Sequence, residues 1–187
     1  MCPGGYVIPS SCQKDQLVVN GMSYASRSGE NANSALLVQI NDSDYGNELF
    51  AGLKYQEDLE KKAFKMGRDY KACVQLAKDY LENKISNQFE SVLPTYSIGT
   101  TFCDLNDLFS KEVNLALHEA LEHFEMKVPG FVSSGAILSA VESRSSSSVR
   151  LVRDKENYVS NIQGLYPSGE GSGYAGGIMT SAIDGIR

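Results

Sequence analysis

Through Ile40 the apolar residues come in short runs between polar stretches. Tyr6 to Pro9, Gln16 to Asn20 and Ala35 to Ile40 are β-rich, and segments such as Ser23 to Ser34 separate them. Runs of this kind predict strands of an antiparallel or mixed sheet. The period then lengthens. From Asn47 or Glu48 onward, Leu49, Phe50, Leu53, Leu59, Ala63 and Met66 approximate one helical face, with Gly67 placed as the stop. A second helix is expected over Val74 to Asn83, and Ser86 to Thr101 reads as irregular, with Pro94-Thr95-Tyr96 and Gly99 as turn signals. Asp104 is placed to cap a short helix through Phe109. Ser110 then caps a long one in which Val113, Ala116, Leu117, Ala120, Leu121 and Phe124 recur with helical period, until Pro129-Gly130 ends it. Ile137 to Glu142 alternates as a strand, and Val149 to Val152, beyond the serines Ser145 to Ser148, is its expected partner. Period-2 segments around a helical middle predict an α+β fold: a mixed β-sheet with packed helices, the Val113–Phe124 helix on one face.

The pattern breaks most sharply at Leu165-Tyr166-Pro167-Ser168-Gly169-Glu170-Gly171-Ser172-Gly173-Tyr174-Ala175-Gly176-Gly177. Five of the chain's 17 glycines fall in this stretch, with one carboxylate among them. Ile162 and Leu165-Tyr166 before it read as a short buried strand, and Ile178 to Ile183 after it as the opening of a helix. A strand that breaks into glycines and then starts a helix lets backbone approach a phosphate or a polarised ring. Gly171, Gly173 and Gly176 satisfy G-x-G-x-x-G, yet a dinucleotide fingerprint needs an acidic residue about 20 positions further on, and the sequence ends at Arg187. A plain turn without ligand is the competing reading. Glu170 favours a site, because an acid flanked by glycines can accept hydrogen bonds from a polyol. The N–H groups around Tyr174 to Gly177 could meet a carbonyl oxygen or a developing anion.

Composition narrows the classes. A chain of 187 residues can bury one good core. Its 17 basic and 23 acidic residues give a net charge of −6, which argues against a nucleic-acid partner. No apolar run approaches the ~20 residues of a membrane span, and no leader pattern opens the chain, so a cytoplasmic protein is expected. Cys2, Cys12, Cys73 and Cys103 show neither C-x-x-C pairing nor zinc spacing, and no metal site is expected. His118-Glu119 with His123 misses H-E-x-x-H by one position, which turns the imidazoles about 140° apart. A solvated helix face is the reading there. Arg144, Arg150 and Arg153 surround the serine loop near Glu142. They could hold a carboxylate or phosphate, while an exposed hairpin with solvated charges is the more economical reading.

Taken in order, Met1-Cys2-Pro3-Gly4-Gly5, Val19-Asn20-Gly21-Met22-Ser23, Asn31-Ala32-Asn33, Glu142-Ser143-Arg144-Ser145-Ser146, Val149-Arg150 and Tyr166 through Ile178 resemble bacterial FAD-utilising dehydrogenases, flavoproteins of the glutathione-reductase-like superfamily. The resemblance implies that residues 1–160 form a substrate-side domain and residues 161–187 the last FAD-contacting strand-turn-helix. The N-terminal Rossmann segment that carries the main FAD fingerprint in such proteins is not in this sequence, so a fragment of a larger FAD-dependent oxidoreductase is expected, inactive and without FAD on its own.

The same resemblance implies that Gly169, Glu170, Gly171, Gly173, Tyr174, Ala175, Gly176 and Gly177 contact the flavin. Glu170 would lie near its ribityl or pyrophosphate part, and the Gly173 to Gly177 backbone near the ring, where helix N–H groups stabilise negative charge. Cys2 would lie near the ring as well. Arg144 and Arg150 become candidates for binding an anionic substrate. The implied reaction is hydride transfer between flavin and a small-molecule substrate, with NAD(P)H as a donor. Self-association through surface left by the missing segment is expected. A non-catalytic ligand-binding or interaction module is the alternative.

Overall fold

The computed structural model describes residues 2–133 and 135–186, with Cys2 by its backbone alone. The chain divides into two compact units, Met1–Gln39 with Glu57–Ser143, and Ile40–Gln56 with Arg144–Arg187. The fold is α+β.

In the first unit, β1 (Cys2–Pro3) pairs antiparallel with β4 (Ala32–Asn33), and β2 (Gly5–Pro9) pairs antiparallel with β3 (Val19–Ser23), Gly5 opposite Ser23 and Pro9 opposite Val19. The expected strand at Gln16 therefore begins three residues later. Leu17 and Val18 are buried all the same, and the Leu17 N–H donates to the Glu60 carbonyl at 3.0 Å instead of joining a ladder. Ala35 to Ile40 forms no strand. Leu36 and Val38 are half-buried while Leu37 and Gln39 are exposed, so the alternation survives, but no strand among the described residues pairs with it.

The mixed sheet is three-stranded, in the order β6 (Thr100–Phe102), β5 (Ala72–Leu76), β7 (Ile137–Ala140). β5 runs parallel to β6 and antiparallel to β7. All five residues of β5 are buried, as the central strand of a covered sheet requires. This corrects the expected helix from Val74: its first part is β5, and only α3 (Ala77–Leu81) is helical. It also corrects the expected pairing of Ile137–Val141 with Val149–Val152, since β5 is the partner of β7. Gln75 is fully buried on β5 and satisfied at both ends. Its Nε2 donates to the Lys84 carbonyl at 2.7 Å, and its Oε1 accepts from the Leu105 N–H at 2.8 Å.

The helices follow the pattern more closely. α2 (Ala51–Gly67) places Ala63, Phe64 and Met66 in or against the core, whereas Leu49 and Phe50, expected on its buried face, precede it and are exposed. Asp104 caps a 3-10 turn (Leu105–Asp107) by accepting from the Asn106 N–H. Ser110 caps α4 (Lys111–Lys127) by accepting from the Val113 N–H at 3.3 Å. Leu121 joins the core fully buried and Leu117 packs against it. The solvated-face reading fails at His118. Its ring stands edge-on to Tyr80 at 4.5 Å and its Nε2 lies 3.0 Å from Asn106 Oδ1, while His123 is exposed. Among the described residues no helix is long and apolar enough to cross a membrane.

The second unit contains α1 (Asp42–Tyr45), started by a capping box between Asn41 and Asp44, the irregular stretch from Arg144, and α5 (Ile178–Ile186). Ile162 and Leu165-Tyr166 are not a buried strand. They are exposed, and hydrogen bonds from Ser160 N–H to the Leu165 carbonyl and from Leu165 N–H to the Ile162 carbonyl curl them into a turn. The chain there bonds to itself, so it has no free edge to offer a sheet.

Candidate functional site: the glycine turn before the last helix

The turn leading to α5 closes on itself. The Gly173 N–H donates to the Glu170 carbonyl at 2.9 Å and the Tyr174 N–H to the Gly169 carbonyl at 3.0 Å. Gly169 and Gly173 adopt φ of 74° and 79°, a region that favours glycine. At Gly173 a side chain is also forbidden by space, because an added Cβ would lie 2.7 Å from the Val149 carbonyl oxygen.

Neighbouring residues of the same unit grip the turn. The Leu151 N–H donates to the Ser172 carbonyl at 3.2 Å, and the Ser147 hydroxyl reaches the Gly171 carbonyl at 3.3 Å. Arg150 Nε–H donates to the Gly173 carbonyl at 3.0 Å, and its guanidinium lies 5.2 Å from the centre of the Tyr174 ring. Arg153 is more deeply engaged. Its guanidinium forms a bidentate pair with Asp184 at 2.6 and 2.9 Å and donates to the Pro167 carbonyl. The exposed-hairpin reading of this arginine cluster therefore fails at Arg153.

Three glycines are left without such reasons. Gly171 and Gly176 would have no atom within 4 Å of an added Cβ, and Gly177 only the Thr180 hydroxyl at 3.9 Å; none of the three has positive φ. Neither the turn's conformation nor its packing asks for glycine there. What these residues present is bare backbone. Among the described residues no acceptor bonds the N–H groups of Ala175, Gly176 or Gly177, and α5 adds the unpaired N–H groups of its first turn. Gly177 does cap inward: its carbonyl accepts from the Ser181 N–H and from the Thr180 hydroxyl. The Ser181 hydroxyl oxygen is buried with no hydrogen-bond partner among the described residues, and Ser181 Cβ would stand 3.3 Å from a Cβ on Gly169. The Glu170 side chain likewise has no hydrogen-bond partner among the described residues.

The structure thus brings Gly169, Glu170, Gly171, Gly173, Tyr174, Ala175, Gly176, Gly177 and Arg150 into one locality of the second unit. Arg144 belongs to that unit too, half-buried and already engaged by protein groups. Cys2 belongs to the first unit. Its backbone stands opposite Asn33, and its thiol lies outside what is described. Glu142, also in the first unit, has its carboxyl pushed up by burial. No group of three or more metal-ligating side chains occurs among the described residues. Asp184 and Ser181 were missed by sequence reading. A signal existed for Asp184, the lone charge in the otherwise neutral run Ile178 to Ile186.

Residues 1–145 match the family described as FAD-dependent protein, C-terminal domain-like. The chain belongs to that family. An uncharacterized protein of Clostridium beijerinckii is 41% identical over 189 residues, which takes in 100% of this chain and 36% of that protein. The chain thus spans about a third of the length of that relative. The family match ends before the glycine turn, whereas the relative aligns across it.

The family implies FAD, and the residues of the turn are chemically suited to such a group. Unbonded N–H donors at Ala175 to Gly177 suit flavin or phosphate oxygens, and the open faces of Gly171 and Gly176 leave room for close approach. The unpartnered Ser181 hydroxyl and the Glu170 carboxylate suit polyol hydroxyls.

Proposed function

We propose that this chain is the C-terminal part of an FAD-dependent oxidoreductase and that the turn from Gly169 to Gly177 contacts the flavin. The observation that carries the reading is the set of glycines at 171, 176 and 177, which the protein's own conformation and packing do not require. Bare backbone next to unbonded N–H groups suits a ligand that lies against the chain. Bound FAD supplies the redox chemistry, hydride transfer with a small-molecule substrate and with NAD(P)H as a donor. The chain's own part is to bind and orient. The Ala175 to Gly177 N–H groups donate toward ring or phosphate oxygens, Glu170 accepts from ribityl hydroxyls, and Cys2 lies near the ring. Arg144 and Arg150 supply positive charge for an anionic substrate. Residues 1–160 serve the substrate side and 161–187 the flavin side, in a cytoplasmic enzyme without nucleic-acid or membrane partners.

The test is FAD titration of the intact polypeptide that carries this segment, followed at about 450 nm, where oxidised flavins absorb, for the wild type and Gly176→Val. A β-branched side chain at 176 blocks close backbone approach, so weaker binding by a folded variant is expected. Equal affinity in a folded Gly176→Val protein would remove the turn from the flavin site.

A further inference from the structure

The glycine turn is held from behind by one ion pair. Arg153 and Asp184 form it with side chains only 8% and 9% exposed, Nη2 to Oδ1 at 2.6 Å and Nη1 to Oδ2 at 2.9 Å. Such a pair is buried and geometrically specific, unlike the surface pairs of α2. Both partners also bond the turn itself. Asp184 Oδ2 accepts the Gly169 N–H at 2.8 Å. Arg153 Nη1 also donates to the Pro167 carbonyl, and its backbone N–H donates to the Tyr174 hydroxyl at 3.1 Å. The guanidinium is stacked on the Tyr174 ring at 3.8 Å and on the Tyr158 ring at 4.8 Å. One charge pair thus fixes the turn at Pro167, at Gly169 and at Tyr174, and because Asp184 sits on α5 it ties the turn to the helix it introduces.

We propose that the Arg153–Asp184 pair, stacked on Tyr174 and Tyr158, is the positioning device that holds the Pro167–Tyr174 turn in the shape its ligand requires. Neither side chain is assigned a contact with the ligand; both act through the turn. For its ligand the proposal rests on the flavin reading above. Asp184→Asn keeps the size of the side chain but replaces one acceptor oxygen with a donor, so either the Gly169 N–H or the guanidinium loses its partner. Arg153→Lys keeps the charge and loses both the fork and the stacking.

The experiment uses the intact polypeptide and reads hydrogen exchange at the Gly169 and Tyr174 amides, FAD affinity, and the visible spectrum of bound FAD. For Asp184→Asn, exchange at those amides should quicken by roughly tenfold and FAD should bind roughly tenfold more weakly, the loss expected for a charge-assisted bond. The spectrum of the residual complex should shift, which general loss of stability does not produce. Arg153→Lys is read in the same way if Asp184→Asn fails to fold. Unchanged exchange at Gly169 and Tyr174 in a folded variant would overturn the proposal whatever the ligand. Faster exchange with wild-type FAD affinity, while Gly176→Val weakens FAD, would overturn the positioning role and leave the flavin reading standing. If neither variant alters FAD affinity, both fail.

Discussion

Gly173 lies directly against the carbonyl oxygen of Val149, which an added Cβ would approach to 2.7 Å. Two pieces of backbone meet there, and the φ of 79° adds a second reason for glycine. Gly176, three positions on, has open space and ordinary φ. Gly173→Ala should therefore destabilise the protein by more than about 1 kcal/mol, while Gly176→Ala leaves the melting temperature within a degree or so, as surface substitutions do. Thermal unfolding of the two variants checks the contrast. Equal losses would mean that the turn is shaped differently at one of these glycines.

Glu170 has no hydrogen-bond partner among the described residues, so its removal should not disturb the fold. In the intact polypeptide Glu170→Ala should weaken FAD binding by about ten- to hundredfold, from the roughly 1.5–3 kcal/mol of a hydrogen bond to a charged group. FAD titration together with circular dichroism separates the two effects. Wild-type affinity in the folded variant would remove Glu170 from the site.

Glu125, in the last turns of α4, gathers the hydroxyl of Ser133 and the N–H groups of Val132, Gly130 and Ser133. These bonds, the Ser133 hydroxyl foremost, hold its carboxyl down to about 2. An unfolded glutamate titrates near 4.3, so between these values the unfolded chain binds the extra proton. The stabilisation is thus complete above about pH 4.3 and is lost as pH falls toward about 2. Glu125→Gln should lower the melting temperature at pH 7 and converge with the wild type near pH 2. Parallel pH profiles would refute the assignment.

The described thiols should react in an order set by burial. Cys12 is exposed, whereas Cys73 and Cys103 are buried and donate to the Ala63 and Met66 carbonyls, each at 3.2 Å. The neighbouring Cys103 thiol, and then burial, push the Cys73 thiol well above its usual value, while the Cys73 thiol lowers that of Cys103. Alkylation of the folded protein followed by mass spectrometry should mark Cys12 first, with Cys73 and Cys103 modified only after unfolding. Early modification of Cys73 would mean that the sheet opens locally.

Much of the local structure was legible in the sequence. Ser110 and Asp104 act as caps, α4 buries Val113 and Leu121 of the face its period marks while Phe124 at its end is exposed, and the glycine stretch does introduce a helix at Ile178. Each of these features depends on residues within one or two turns of one another, and those interactions travel with the sequence. The partners of strands do not. Ala72 to Leu76, apolar except for Gln75, suits a helix or a central strand, and it became β5 because Thr100–Phe102 and Ile137–Ala140 arrive on either side with matching hydrogen bonds. Ala35 to Gln39 kept its alternation yet found no partner, so the same local signal gave no strand. The site divides along the same line. The glycines and Glu170 could be read in order along the chain, but the roles of Arg153 and Asp184, 31 residues apart, exist only once α5 folds back over the turn. An ion pair is a property of distance in space, and only the tertiary fold sets that distance.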